Sequence, residues 1–503
     1  MGTKYVSNIK AEPFWRTTSK EGLPTTIIRW PNAFPPEKIN GNMLSGEGVP
    51  DIKGFMSGYT LYTEKKQDKK EIKSSNKIIQ VKKNNNLIET ELSGPKTKKA
   101  GDIIDIKTPM KIILSENSAS LIINDKKHKI EVNKWSDFIK VKFKIGVFKE
   151  VDAIFKAYLV SIEPFEMFLT SIQIDPENPI VKISYPNEYS KDLAEDIGTY
   201  YTLGMPEETD AYIDGKLSEK AFLGQVNEIE KQRDKMFWKE FNEFKNKETG
   251  VYAFVYDSSD RLQHLFWDEE INEVIENYYT KKDAFIAELL GKLDNDTLLI
   301  IISDHGFTSF ERSVSINTWL VENDFMKLTK ELDNEGTLFQ YVDWENTKAY
   351  SLGFNSIYIN VKGREGKGIV EYKEEIVNEI IGKLENLVDK KTGKKVINKA
   401  YKREEIYNGD YVENAPDIII GFNPGYRMSW QTAAGGFTKE VLNDNLKKWA
   451  ADHLVDPKFV PGVLFSNIKI NKKEASQMDV APTILDALGI EIPEGIDGKS
   501  LLK

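Results

Sequence analysis

The chain holds four histidines, His128, His264, His305 and His453, and three of them have an aspartate either adjacent or four positions before. Asp260 and His264 are four residues apart in SSDRLQH. Asp304 and His305 are adjacent in IISDHGF, and Asp452 and His453 in ADHLVDP. Carboxylate oxygens and neutral imidazole nitrogens form the donor set that zinc takes, and less selectively manganese or iron(II). If a helix starts at Ser258, Asp260 and His264 point from one face and can grip one ion. An isolated Asp–His pair is ordinarily a surface feature, and Asp260 or Asp304 can equally cap a helix or turn. The joint pattern is what points to metal. Asp260, His264, Asp304, His305 and His453 are more donors than one tetrahedral zinc accepts, so they imply two ions. Two ions about 4 Å apart can clamp the attacking and leaving oxygens of an in-line phosphoryl displacement.

Such donors need a scaffold that brings distant segments together. VYAFVYD (251–257) and TLLIIIS (297–303) read as apolar strands, and both run straight into the polar groups above. Gly306 allows a tight turn after the second, free of the steric limit of a β-carbon. Asp452-His453 precedes a further strand, GVLFSN (462–467). Between and after these lie helical patterns (DEEINEVIENYYTKKDAFIAELLGKL, IVEYKEEIVNEIIGKLENL, VAPTILDALG) and the strands SIYINV and PDIIIGF. Alternating α and β with continuous apolar strands predicts an α/β fold. Its sheet is doubly wound and mostly parallel, with helices on both faces. In such sheets ligands bind beyond the carboxyl ends of the strands.

Upstream, PTTIIRW reads as a short strand, Thr25 to Arg29, stopped by Pro31, and the Pro/Gly-rich PPEKINGNMLSGEGVPDIKG as a loop. The Lys/Asn-rich stretch 60–86 reads as exposed loop and hairpin. Residues 100–172 show short runs with period-two alternation, clearest in IKVKFKI, and predict an antiparallel β insertion. His128 falls here as an exposed hairpin residue. In LSEKAFLGQVNEIEKQRDKMFWKEFNEFKN, Phe222, Val226, Ile229, Met236, Phe237 and Phe241 recur at helical spacing and belong to a core. The expected domains are a catalytic one, 1–55 with 185–503, and the β-rich insertion, 56–184.

The net charge is −10 over 503 residues, which argues against a general nucleic-acid binder and a stable nucleic-acid complex. No apolar run approaches the roughly 20 residues of a membrane span. The absence of cysteine fits a reducing compartment. MGTKYVSNIKAEPFW lacks a signal pattern, so a cytoplasmic location is the expectation. GIDGKS is not the end of a phosphate-binding loop, because Pro493 stands where its first glycine belongs. No G-x-S-x-G or G-x-G-x-x-G motif occurs.

Longer stretches carry a family likeness: SSDRLQHLFW, IISDHGF, DHLVDPKFVPGVLFSN and DVAPTILDALGI followed by DGKSL. PFWRTTSKEGLPTTIIRWPNAF, SIEPFEMFLTSIQIDPENP and APDIIIGFNPGYRMSWQTAAGG support it. Together they resemble the type I phosphodiesterase/nucleotide pyrophosphatase family of the alkaline phosphatase superfamily, over nearly the whole chain except the Lys-rich insertion. The resemblance implies a hydrolase of small phosphate-ester or nucleotide substrates. It implies two divalent ions, zinc first, with manganese as the alternative. Asp260, His264 and His453 would hold one ion, and Asp304 and His305 would help hold the other. In such families an early Asp and a Thr or Ser nucleophile complete the second site. Here the chain opens on a segment like the region downstream of that nucleophile. Thr17, Thr18 and Ser19 fall in a helix and Thr25 and Thr26 in a strand, so none is nominated and the catalytic residue stays unknown. The resemblance thus implies one whole metal site and one half-built. A truncated gene product, a separately encoded N-terminal piece or an inactive remnant would each account for this. The sulfatase and phosphoglycerate-mutase branches share DVAPTILDALGI, and a non-catalytic binding fragment is a further alternative. VDPKFVPGVLFSN favours the phosphodiesterase branch.

Overall fold

The computed structural model describes residues 5–66, 73–99, 102–145, 149–268, 272–331, 338–470, 472 and 474–502. The chain is mixed α/β, with parallel and antiparallel sheets and, among the described residues, 11 α-helices. It divides into two compact units, Met1–Arg261 with Ile470–Lys503, and Leu262–Lys469.

In the first unit Thr25–Trp30 is a central strand, parallel to Gly41–Ser45 on one side and Val251–Phe254 on the other. Alternate residues face opposite ways, and each face finds its own cover. Ile27 and Met43 pack with Phe14, Trp15 and Leu485. Ile28 and Leu44 pack with Tyr189, Leu193 and Met236. The strand Gly41–Ser45 lies in the segment expected to be a loop. Its glycines misled the reading because they serve close strand approach. A β-carbon on Gly41 would sit 2.2 Å from the Thr25 carbonyl oxygen, and one on Gly46 would sit 2.0 Å from that of Arg29. The helix Glu219–Phe244 buries Phe222, Val226, Ile229, Met236, Phe237 and Phe241, as their spacing predicts.

The insertion region is antiparallel for the most part. Leu87–Lys99, Asp102–Ser115, Ser118–Ile123 and Lys126–Glu131 form a meander. Ile139, Val141 and Phe143 point into its core while the intervening lysines face outward. Two expectations need correction. Thr60–Thr63 is a buried strand, and it pairs in parallel with Lys77–Gln80 instead of forming a hairpin; residues 67–72 of that stretch lie outside the described residues. His128 is half-buried opposite Leu121, and burial, then Lys126, pulls its imidazole below the usual range.

In the second unit most strand pairs are antiparallel. Ser356–Ile359 and Ile397–Lys402 flank Ile418–Phe422 in that sense. Among the described residues the parallel strand pair there is Thr308–Val314 beside Gly425–Met428. Apolar runs record burial but not partner direction, so the expected parallel pairing fails here. TLLIIIS narrows to Ile300–Ile302, which pairs antiparallel with Leu464–Ser466 and, among the described residues, with nothing on its other side. None of the three isoleucines is fully buried, unlike the central strand the sequence suggests. No described helix is long and apolar enough to cross a membrane.

Glu208 offers a test of packing in the first unit. It is 5% exposed, and its Oε1 accepts a 3.1 Å bond from the Ser171 amide. Burial drives its carboxyl well above the ordinary range despite that bond. Its stabilising contribution is therefore present below the unfolded pKa and lost as pH rises through the folded one. Glu208→Gln keeps the acceptor and removes the charge. Its melting temperature should exceed the parent's at pH 8, by roughly 2–4 °C per kcal/mol recovered. At pH 4 the difference should vanish; a pH-independent difference would contradict this account.

Candidate metal centre

Asp260 and His264 lie one turn apart on the helix Ser258–Phe266. The His264 ring is 3% exposed. Its Nδ1 donates to the Ala451 carbonyl at 2.8 Å, and a carbonyl can only accept, so the lone pair is left on Nε2. Its own carbonyl accepts from the Ala450 amide at 2.7 Å. Trp449 stacks on the ring at 3.8 Å, and Phe307 meets it edge-on at 4.8 Å.

His453 follows the short strand Ala451–Asp452, which pairs with Thr308 and Ser309. One ligand atom each from Asp260, His264 and His453 can be chosen so that all lie within 4.8 Å of one another. Donors around a tetrahedral zinc stand about 3.3 Å apart, as bonds of about 2.0–2.1 Å dictate. The set would close by about 1.5 Å at most on an ion, within the reach of side-chain torsions.

The SDHG corner is held by backbone approach. The Ser303 amide donates to Val463 at 3.0 Å, and the Gly306 amide to Val460 at 2.9 Å. A β-carbon on Gly306 would lie 2.7 Å from the Pro461 carbonyl oxygen. Glycine is thus required by proximity to another chain segment, since Gly306 is not among the glycines with left-handed φ. The corner brings His305 face to face with His453, at 3.6 Å between ring centres and 15° between planes. Asp304, whose side chain is 67% exposed, lies 3.4 Å from His305 Nε2. The structure therefore collects Asp260, His264 and His453 in one cluster, sets His305 against it, and leaves Asp304 on its outer side, beside His305.

The sequence model of the type I phosphodiesterase/nucleotide pyrophosphatase family matches residues 167–435, more than half of the chain. The chain belongs to this family. It is accordingly a member of a family of phosphoric ester hydrolases. No curated protein matches it. The matched span includes Asp260, His264, Asp304 and His305 but ends before His453, which the fold sets beside Asp260 and His264.

Around its candidate centre this phosphodiesterase-family chain carries supports that motif reading misses. Ahead of the Ser258–Phe266 helix, Arg233 contacts Glu207 at 3.1 Å, Glu230 at 2.9 Å, Asp257 and the Ser258 hydroxyl. Ser258 in turn donates to Glu207 at 2.6 Å. Arg29 reaches Asp257 at 3.3 Å and the Gly204 carbonyl at 3.0 Å. Burial pushes the Asp257 carboxyl up, but Arg233, Arg29 and Arg261 outweigh it and hold it below the ordinary range. The hydroxyls of Thr18 and Ser19 are spent on the Trp15 carbonyl, and Thr18 also meets Thr25 at 2.8 Å, which suits structural roles.

Proposed function

We propose that this family member hydrolyses phosphodiester or nucleotide pyrophosphate bonds with two divalent ions, zinc by preference and manganese as the alternative. The observation that carries the reading is the convergence of Asp260, His264 and His453, with His264 Nε2 left as a donor by the Nδ1 bond to Ala451. One carboxylate and two neutral imidazoles leave a divalent ion with net positive charge. An ion bound there supplies that charge to the phosphoryl group and acidifies a nearby hydroxyl or water. The chain's own residues hold and orient. Asp260 and His264 share one helical face, His453 comes in from the Ala451–Asp452 strand, and Trp449 and Phe307 wall His264 off from water. Asp304 and His305 contribute to a second ion beside the first.

The same reading makes the Thr25–Trp30 sheet part of a doubly wound, alkaline phosphatase-like layer, supported by its cover on both faces. It also makes residues 56–184 an insertion into a catalytic domain of 1–55 and 185–503, supported by the apolar core that those strands mostly build, which Phe34, Val49 and Ile52 join from outside the span.

The test is to strip the purified protein with chelator, titrate zinc or manganese, and follow chromogenic phosphodiester, phosphomonoester and sulfate ester in parallel. Diester turnover should disappear with the metal and return with it, and should exceed that of the other two. Chelator-treated, metal-free protein that turns over the diester at the full rate would refute the metal reading. Faster sulfate-ester turnover would refute the substrate class.

A further inference from the structure

We propose that Asp452, acting through Trp449 and backed by Arg427, is the positioning residue for both histidines of the candidate centre. The inference rests on the metal reading above and adds to it a group that touches no ion.

Asp452 is 2% exposed, and both its oxygens are engaged. Oδ1 accepts from the His453 amide at 2.9 Å and the Leu454 amide at 3.0 Å. Oδ2 accepts from the Trp449 indole nitrogen at 2.8 Å and lies 2.9 Å from Arg427 Nε. Arg427 is as buried as its partner, and its guanidinium carbon lies 4.1 Å from the centre of the Trp430 ring. The carboxylate is thus unavailable as a metal ligand. What it does is join two residues that each govern a histidine.

The segment 449–453 meets His264 in three ways. The Trp449 indole covers the ring, the Ala450 amide donates to the His264 carbonyl, and the Ala451 carbonyl takes the Nδ1 proton. The next residue but one is His453 itself. Asp452 locks the indole to the His453 amide, so the surface that orients one histidine and the backbone that carries the other move as one body. A buried carboxylate is costly to maintain unless its partners are fixed in place. An apolar residue would fill the space without joining Trp449 to His453. Groups behind metal ligands commonly set affinity by about 10–100-fold.

The test uses the full chain, with zinc as probe in competition with a chromogenic chelator, and with cobalt(II) absorption as a reporter of ligand geometry. In Asp452→Asn, Oδ1 can still accept the two amides. The new NH2 faces the indole N–H and Arg427, so donors oppose donors and Trp449 is released. Zinc affinity should fall about 10–100-fold, and the cobalt spectrum should change. Trp449→Phe keeps a ring over His264 but loses the link; it should move both readouts in the same direction by less. If Asp452→Asn does not fold, Trp449→Phe decides. Folded variants with parental zinc affinity and an unchanged cobalt spectrum would overturn the inference. If His264→Ala loses zinc while Asp452→Asn keeps it, only this inference fails. A parent that binds no metal removes the metal reading and this inference together.

Discussion

Replacing His264 with alanine is expected to abolish metal-dependent turnover and to lower zinc affinity by well over 100-fold. Removing a group behind a ligand costs about 10–100-fold, and His264 is itself one of three converging donors on the reading proposed above. The ring is buried against Trp449 and Phe307, so the substitution also leaves a cavity and costs the fold about 1–3 kcal/mol. Metal linkage separates the two effects. Zinc at 100 times its dissociation constant should stabilise the parent by about 2.7 kcal/mol. Thermal unfolding with and without zinc should show that increment in the parent and none in His264→Ala, on top of the lower metal-free baseline. An unchanged zinc increment in the variant would remove His264 from the ligand set and with it the observation that carries the proposed function.

The candidate donors Asp260, His264, Asp304 and His305 stand out in the chain because their spacing is local. Asp260 and His264 are four positions apart, and a helix turns that interval into one face. Asp304 and His305 stand together where an apolar run stops, which marks a strand end without any knowledge of what pairs beside it. The supports are not legible, because they depend on where segments meet. Nothing near Arg233 announces that Glu207, Asp257 and Ser258 will surround it. Trp449 reads as one aromatic among many until its ring lies on His264. Pairing direction is equally silent in Ile418–Phe422, whose apolar residues suit a parallel or an antiparallel neighbour. Gly41 and Gly46 show the same limit from the other side. Their presence is visible, but whether a glycine opens a loop or lets two strands touch depends on the Thr25 and Arg29 carbonyls opposite.

Replacing Arg233 with alanine should destabilise the first unit by about 3–5 kcal/mol, the range for breaking one side of a buried ionic group. The side chain is 3% exposed in the middle of the Glu219–Phe244 helix, and it faces Glu207, Glu230 and Asp257 together. Without it, Glu207, Glu230 and Asp257 lose their shared cation, and Arg29, which reaches Asp257, has its own charge already disfavoured by burial. That loss is a large share of the roughly 5–15 kcal/mol that holds a domain together. The defect should shrink with acid. Carboxylates deprived of their cation have raised folded-state pKa values, so the penalty is present at pH 7.5 and relieved as the pH falls towards 4. Arg233→Lys should lie between parent and alanine, because an ammonium keeps the charge but cannot spread it across several partners. Urea unfolding provides the measurement, with Lys191→Ala as the control. That residue's 3.5 Å pair with Glu195 is exposed on both sides, and such pairs contribute about 0–1 kcal/mol. Equal midpoints for Arg233→Ala and the control would show that the buried cluster does not hold the unit together. The functional consequence follows from chain position. Arg233 and Glu207 grip Ser258, the first residue of the helix that presents Asp260 two positions later. A folded Arg233→Lys protein should therefore bind zinc more weakly than the parent even where its stability suffices.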